Sequence, residues 1–507
     1  VVNLARARAF PLGRGAAQND APQPCQEYPA MAATLVWLRN DLRVEDNPAL
    51  HAAVLRGEPV VPVFIWAPEE DAPWEPGAAT RWWLHHALAA LQERMTALGS
   101  PLVLRRGPSL DALRALARDT GANAVYWNRR YEPTAIARDA AIKRALRGND
   151  IKPESFNGAL LVDPVTFKNK AGAPFKVFTP FWKAAARDVP VPDMLPAPAA
   201  LKPPARPPKP LPLANLALLP SIDWADGLRA TWQPGEAGAA SALTAFLDGP
   251  VPDYPALRDR PAETGTSRLS PYLHFGEISP RQAVHALSTA ALDGASAAGA
   301  EAVIRQVYWR EFSYYLLYHF PHTPEAPLRD AFNAFPWQSD PAALRAWQRG
   351  QTGYPLVDAG MRELWHTGWM HNRVRMVVAS FLVKHLLLPW QEGARWFWDT
   401  LVDADLANNT MGWQWTAGCG ADAAPYFRIF NPVSQGEKFD PHAAYIRHWV
   451  PELAALPDAL VHRPWEASEI ELSAAGIHLG ETYPRPLVEH TAARDRALAA
   501  YAHIKGA

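Results

Sequence analysis

Cysteine is almost missing from this chain. Cys25 and Cys419 are the two present in 507 residues, which excludes a disulfide framework and any four-cysteine zinc or iron–sulfur site and leads to the expectation of a reducing, cytoplasmic setting. No metal is expected. An excess of one charge is also absent: 50 basic against 51 acidic side chains give a net charge of −1, so any surface for nucleic acid must be local and offset elsewhere. Long apolar runs are lacking too. The longest candidate, Met376 to Trp390, is broken by Lys384 and His385, whereas a membrane span needs about 18 apolar residues. Residues 1–30 contain Arg and Pro but no apolar stretch of the kind a secretory signal requires. They read as a disordered extension ahead of a natural start at Met31, with an organellar targeting peptide as the alternative.

What is present begins with alternation. Thr34 to Arg39, Val60 to Trp66, Pro101 to Arg105 and Ala122 to Trp127 are short apolar runs. Helical patterns at Arg81 to Leu98 and Leu110 to Thr120 separate them, which predicts an α/β domain with a doubly wound parallel sheet over 31–165. No glycine-rich phosphate fingerprint follows the first strand, so a small-molecule site here belongs at the C-terminal strand ends. Proline then recurs from Arg187 to Pro212, which forbids helix and central strand and marks a long Pro-rich linker, bounded at 166–236. From 237 to 507 the pattern is helical, with segments expected at Ala237 to Leu247, Pro280 to Leu292, Ala300 to Tyr318, Pro341 to Gln348, Val357 to Thr367, Asn372 to Leu388 and Gly393 to Leu401. The second domain is therefore predicted to be all-α.

Within it, Trp369 to Trp415 mixes Arg373, Arg375, Asp403, Asp405 and Asn409 with Trp, Met and Phe. Buried charge without a partner is costly, so these groups must pair with one another or with a large polar ligand. On a helix from Asn372, residues 372, 375 and 376 share one face while Arg373 projects about 100° away. That pattern serves a ligand, or equally a purely structural pairing of both arginines with Asp403 and Asp405. Thr266-Ser-Arg-Leu-Ser-Pro271 suits a phosphate, though a capped helix start explains it as well. The 21 tryptophans outnumber the 14 tyrosines. Trp337, Trp390 and Trp413 read as core residues or as an electron relay, and Trp309 and Trp415 as core or as flat walls for a base.

Several motifs occur in one order: Tyr254 with Gly265-Thr-Ser-Arg-Leu-Ser-Pro-Tyr-Leu-His-Phe-Gly276, Trp309-Arg-Glu-Phe312, Thr352-Gly-Tyr-Pro-Leu-Val-Asp-Ala359, Thr367-Gly-Trp-Met-His-Asn-Arg373, Asp403 through Trp415, and Tyr426-Phe-Arg-Ile-Phe-Asn-Pro432. Together they resemble the photolyase and cryptochrome family, nearest to the bacterial class I cyclobutane pyrimidine dimer photolyases, in register from about Met31 to the C-terminus. The resemblance implies FAD, working in its reduced form, bound by Tyr254, Thr266, Ser267, Arg268, Leu269, Ser270, Arg310, Trp369, Arg375, Asp403, Ala404, Asp405 and Asn409. It implies a monomer acting on UV-damaged DNA. The lesion pocket would comprise Gln306, Trp309, Asn372, Met376 and Trp415, with Asn409 facing the flavin N5, and Trp413, Trp390 and Trp337 would reduce the flavin on illumination. Arg258, Arg373, Arg428 and Gln435 would contact DNA.

Gln306 departs from the class I pattern, which has Glu three residues before the lesion-stacking Trp. Gln is familiar there from (6-4) photolyases and animal cryptochromes, so a (6-4) enzyme or a cryptochrome-like photoreceptor is the alternative. Asn372 and Met376 nevertheless stand where a (6-4) site has paired histidines, and no long effector tail is expected after the folded core. An antenna chromophore is expected near Arg39 to Asn47, a deazaflavin or second flavin rather than a folate, because Thr134-Ala135 replaces the Asn-Glu pair of folate-binding relatives.

Overall fold

The computed structural model describes residues 32–292, 294–423 and 428–505. Residues 1–30, Met31 and Tyr426 lie outside the described residues. Five strands, β1 (Thr34–Leu38), β2 (Val60–Trp66), β3 (Val103–Arg106), β4 (Ala124–Asn128) and β5 (Lys152–Phe156), form one parallel sheet in the order β3-β2-β1-β4-β5. The register pairs Thr34 with both Val60 and Ala124. Alternation along β1 decides what each face covers. Leu35 and Trp37 belong to one apolar cluster with Leu113, Leu116, Ile142 and Leu146, while Val36 and Leu38 belong to another with Trp83, Leu88 and Leu91. Both faces are thus buried by helices: α1 (Pro48–Leu55) and α2 (Ala78–Ala97) on one side, α3 (Ser109–Thr120) and α4 (Pro133–Arg147) on the other. A sheet covered on both sides needs near-continuous apolar strands, which is what β1 and β2 supply.

The second of those clusters does not stop at the domain edge. It continues through Tyr272, Phe275, Trp369 and Val402 of the helical part. Gly276 explains one link: its φ is +64°, and a Cβ there would lie 2.3 Å from the Asn40 carbonyl oxygen. Only glycine permits that approach without displacing the loop after β1.

The region between the domains is not wholly extended. It contains α5 (Phe178–Asp188) ahead of the proline-rich crossing. Beyond it the helices predicted from the pattern are present, including Ala297–His319, Pro355–Thr367 and Trp390–Thr400. The helix expected to run unbroken from Asn372 to Leu388 ends at Ser380 and passes into a wider π-type turn at Phe381–His385. There Lys384 is buried and donates to the Ala417 carbonyl at 3.2 Å. No described helix is long and apolar enough to cross a membrane.

Glu311, on Ala297–His319, ties this helix to the segment after the sheet: one carboxylate oxygen accepts from the backbone N–H of Leu161 at 2.7 Å and Val162 at 3.0 Å. Burial pushes its carboxyl up to about 7 against the opposing pull of Arg310 and those two N–H groups. Because the folded value exceeds the ordinary carboxylate value, the resulting stability is full at acid pH and is lost as pH rises through about 7. Glu311→Gln keeps an acceptor for both N–H groups and removes the titration. Its melting midpoint is expected to fall less than that of the wild type between about pH 5.5 and 8. Parallel midpoint-versus-pH curves for the two proteins would contradict this.

Candidate functional site for a flavin and a DNA lesion

Two elements meet at the charged stretch. The helix Asn372–Ser380 starts with His371, whose Nδ1 accepts the Arg373 N–H at 3.2 Å. Burial pushes this imidazole down to about 4, which keeps it neutral as a helix cap. From that helix Arg375 reaches Asp403, its Nη2 lying 2.8 and 3.1 Å from the two carboxylate oxygens, while its Nε donates to the Met370 carbonyl at 2.7 Å. Arg373 turns the other way and pairs with Asp259 at 2.9 Å. The structural alternative of both arginines on Asp403 and Asp405 is therefore incorrect, because the two guanidinium groups leave opposite sides of one turn.

Asp405 has a different task. It begins the helix Leu406–Ala417, accepting from the backbone N–H and the side-chain amide of Asn408, each at 2.8 Å. Its other oxygen accepts from the Tyr314 hydroxyl and faces His274 Nδ1 at 3.7 Å. Burial alone would raise its pKa, but His274, Arg310 and Tyr314 outweigh it and hold it at about 2. Arg310 reaches this network through Tyr314, over whose ring its guanidinium sits at 4.7 Å, and also donates to the Ala159 carbonyl at 2.9 Å. One turn into the helix, Asn409 donates its amide to the Ala394 carbonyl at 3.0 Å, which leaves Oδ1 as the atom free to accept.

The loop ahead of Ser270–His274 supplies hydroxyls and a cation. Arg268 has φ +50°, and its guanidinium lies over the Trp369 ring at 4.7 Å. The Trp369 indole donates to Ser270 Oγ at 3.3 Å, and Ser267 Oγ accepts the Leu269 N–H at 3.4 Å. Thr266 and Ser267 are half-buried and Tyr254 is buried. Hydroxyls and a guanidinium at one end, a buried ion pair and an amide at the other, and an indole between them match the pyrophosphate and ring of a dinucleotide flavin.

The pocket residues are distributed as follows. Asn372 is exposed and lies 3.9 Å from the Met376 sulfur. Trp309 and Trp415 are half-buried, and Gln306 donates to the Ala302 carbonyl at 3.3 Å. Gln435 Oε1 and Arg373 Nε are buried without a hydrogen-bond partner among the described residues. Arg258 is half-buried beside Tyr254, and Arg428 is exposed. Trp390 and Trp413 are core members of one apolar cluster against which the half-buried Trp337 packs.

A second cleft opens where strand order reverses, beyond the C-terminal ends of β1, β2 and β4. It measures about 740 Å³, counting the part open to solvent, and Trp37, Arg39, Trp66, Arg130, Arg138 and Trp398 are among its lining. The strand-end position expected from the sequence is where this cleft lies.

Residues 303–503 match the FAD binding domain of DNA photolyase, and residues 34–203 match DNA photolyase. The chain belongs to the DNA photolyase family. It is 50% identical over 477 residues to a deoxyribodipyrimidine photo-lyase of Agrobacterium fabrum, taking in 94% of this chain and 98% of that one. It is 41% identical to cryptochrome-1 of Arabidopsis thaliana, over 90% of this chain and 68% of the relative. The solved structure of a bacterial class III photolyase from Agrobacterium tumefaciens superposes with TM-score 0.92 at 47% identity, covering 96% of this chain and 100% of that one. That match brings in class III where the motifs suggested class I. An archaeal photolyase from Sulfolobus tokodaii, solved with two FAD molecules, superposes with TM-score 0.79 at 30% identity, covering 93% and 100%.

Reading the sequence of this photolyase-family chain missed His274 and Tyr314, which hold Asp405, and Arg130 and Arg138 in the second cleft. Arg129-Arg130 directly after β4 is a usable signal, since loops at that sheet edge carry sites. His274 and Tyr314 give no local sign, because their partner lies more than ninety positions away.

Proposed function

We propose that this chain repairs UV-damaged DNA by splitting cyclobutane pyrimidine dimers in the light, as a cytoplasmic monomer with reduced FAD. When bound, reduced FAD would supply light-driven one-electron donation to the dimer. Everything else falls to the chain's own residues. Arg375, held by Asp403, would place a cation beside the ring, and Asn409, with its amide hydrogen-bonded to Ala394, would face the flavin N5. Thr266, Ser267, Arg268 and Ser270 hold the phosphates and ribityl chain. Trp309 and Trp415 stack the flipped-out lesion, while Asn372 and Met376 complete the pocket. Arg258, Arg373, Arg428 and Gln435 meet the DNA backbone, so affinity falls with salt. Trp337, half-buried, and Trp390 and Trp413, buried in the same apolar cluster, would carry electrons from the surface to the flavin.

The observation that carries this reading is that one helical turn joins the two halves of the site. Asn372 and Met376 share it with Arg375, which is bound to Asp403. The holoprotein is expected to bind an oligonucleotide with a single cyclobutane thymine dimer more tightly in the dark than its undamaged or (6-4) counterparts. Equal affinity for all three would reject it.

Gln306 and the cryptochrome relative favour a second reading, a photoreceptor. Gln306→Glu tests what this position does for repair. In a repair enzyme it is expected to raise the repaired fraction per absorbed photon while leaving dimer affinity within about twofold, since Glu keeps the acceptor oxygen. No change in repair would count against a repair role for position 306.

The second cleft is the place for a light-harvesting group, expected to be a flavin or deazaflavin. Trp66 and Trp398 line it with aromatic surface, and its polar wall is a paired network in which Arg130 meets Asp71 and Glu132 and Arg138 meets Asp71 and Asp139. Its absorption in the purified protein, extracted and compared with FAD, identifies the class.

A further inference from the structure

The linker helix α5 does more than cross between domains. Phe178, Phe181 and Trp182 stand at positions i, i+3 and i+4 and all face Ala297–His319. Phe181 meets Phe312 at 5.1 Å with planes inclined 45°, and Trp182 meets Tyr308 at 4.4 Å and 68°, ordinary edge and tilted core contacts. Phe178 is different. Its ring lies parallel to Trp309, 3.6 Å away at an interplanar angle of 10°. Phe178 is 1% exposed, whereas Trp309 is half-buried. One face of the indole is therefore covered by a fixed ring and its edge meets Phe312 at 6.0 Å, while the indole as a whole keeps partial exposure to solvent.

We infer that Phe178 is a positioning residue for lesion recognition, holding Trp309 in the orientation at which its other face receives a flipped-out base. This rests on the reading of Trp309 as a wall of the lesion pocket. The physical reason is preorganisation. An unsupported indole must give up torsional freedom when a base stacks on it, and a ring already stacked behind it has removed that cost before binding. The effect is confined to damaged DNA, because contacts to undamaged DNA come from the phosphate-facing arginines.

The test uses FAD-loaded protein and measures, in the dark, affinity for an oligonucleotide with one cyclobutane thymine dimer and for its undamaged counterpart. Phe178→Leu keeps apolar volume and removes the parallel ring. It is expected to lower the preference for damaged DNA roughly three- to tenfold with undamaged affinity unchanged. Phe178→Met, whose flexible side chain fills gaps, serves if the leucine variant does not fold. Phe181→Leu removes a ring of the same cluster that does not touch Trp309, so it is expected to preserve the preference, and Phe178→Tyr, which retains the ring, is expected to restore it. Equal loss at positions 178 and 181, or loss at neither, overturns the inference. Trp309→Ala distinguishes the underlying reading: if it leaves the preference intact, Trp309 is not a lesion wall. If it abolishes the preference while Phe178→Leu does not lower it, the positioning role alone is wrong.

Discussion

Arg375→Met is expected to destabilise the protein by about 3 kcal/mol and to release its flavin. Asp403 retains 4% of its side-chain exposure, and Arg375 Nη2 is bonded to both of its oxygens. Removing one partner of a buried pair leaves an uncompensated charge, which costs about 3–5 kcal/mol. The lower end applies because the arginine is 24% exposed. Melting of the holoprotein and FAD retention on gel filtration measure both effects. The double variant Arg375→Met with Asp403→Leu is expected to recover most of the midpoint, since apolar replacement of a buried pair is often neutral, but not the flavin. Recovery of both would make the pair merely structural. An unchanged midpoint in the single variant would deny it even that.

Gly393→Ala is expected to damage the electron relay more than any nearby small-residue change. A Cβ at Gly393 would sit 2.0 Å from Trp413 Cη2 and 2.5 Å from Cζ2 and Cζ3. Trp413 cannot yield easily, because it is 2% exposed and packed against Phe397 at 5.0 Å and Trp347 at 6.2 Å. Overpacking of this kind costs about 1–3 kcal/mol. Photoreduction of the oxidised flavin is expected to slow markedly while dimer affinity in the dark is kept, because the indole must leave its present position. Gly412→Ala is the contrast: nothing lies within 4 Å of its Cβ, so it is expected to raise stability by up to about 1 kcal/mol through helix propensity. Unaltered photoreduction in Gly393→Ala would remove Trp413 from the relay.

How far the residues announced this arrangement depends on the range of the forces involved. β2 runs over Val60–Trp66 as predicted, because a strand buried on both faces is one apolar run. β5 escapes the pattern, since Lys-Pro-Glu-Ser-Phe is an edge strand with one neighbour and polar side chains. The helix Leu406–Ala417 is hidden for the opposite reason: Asn408, Asn409 and Gln414 interrupt its apolar spacing because they serve the site or a buried network. Helix α5 is masked by the prolines that follow it. In the candidate site, Arg375 and Asp403 stood among charges that had to pair with one another or with a ligand, and the two side chains meet. Pairings across long stretches, such as Arg373 with Asp259 and Phe178 with Trp309, leave no trace in local composition. Tertiary contact alone creates them.

The central claim is that light absorbed by FAD in this chain splits cyclobutane dimers held between Trp309, Trp415 and the Arg375–Asp403 end of the site. The most direct measurement follows one oligonucleotide bearing a single thymine dimer, mixed with the reduced, FAD-loaded protein, under blue light and in darkness. Restoration of intact thymines in the light only, with a (6-4) substrate left unchanged, is the predicted result. Restoration in darkness, or none in the light with reduced FAD bound, would contradict the account.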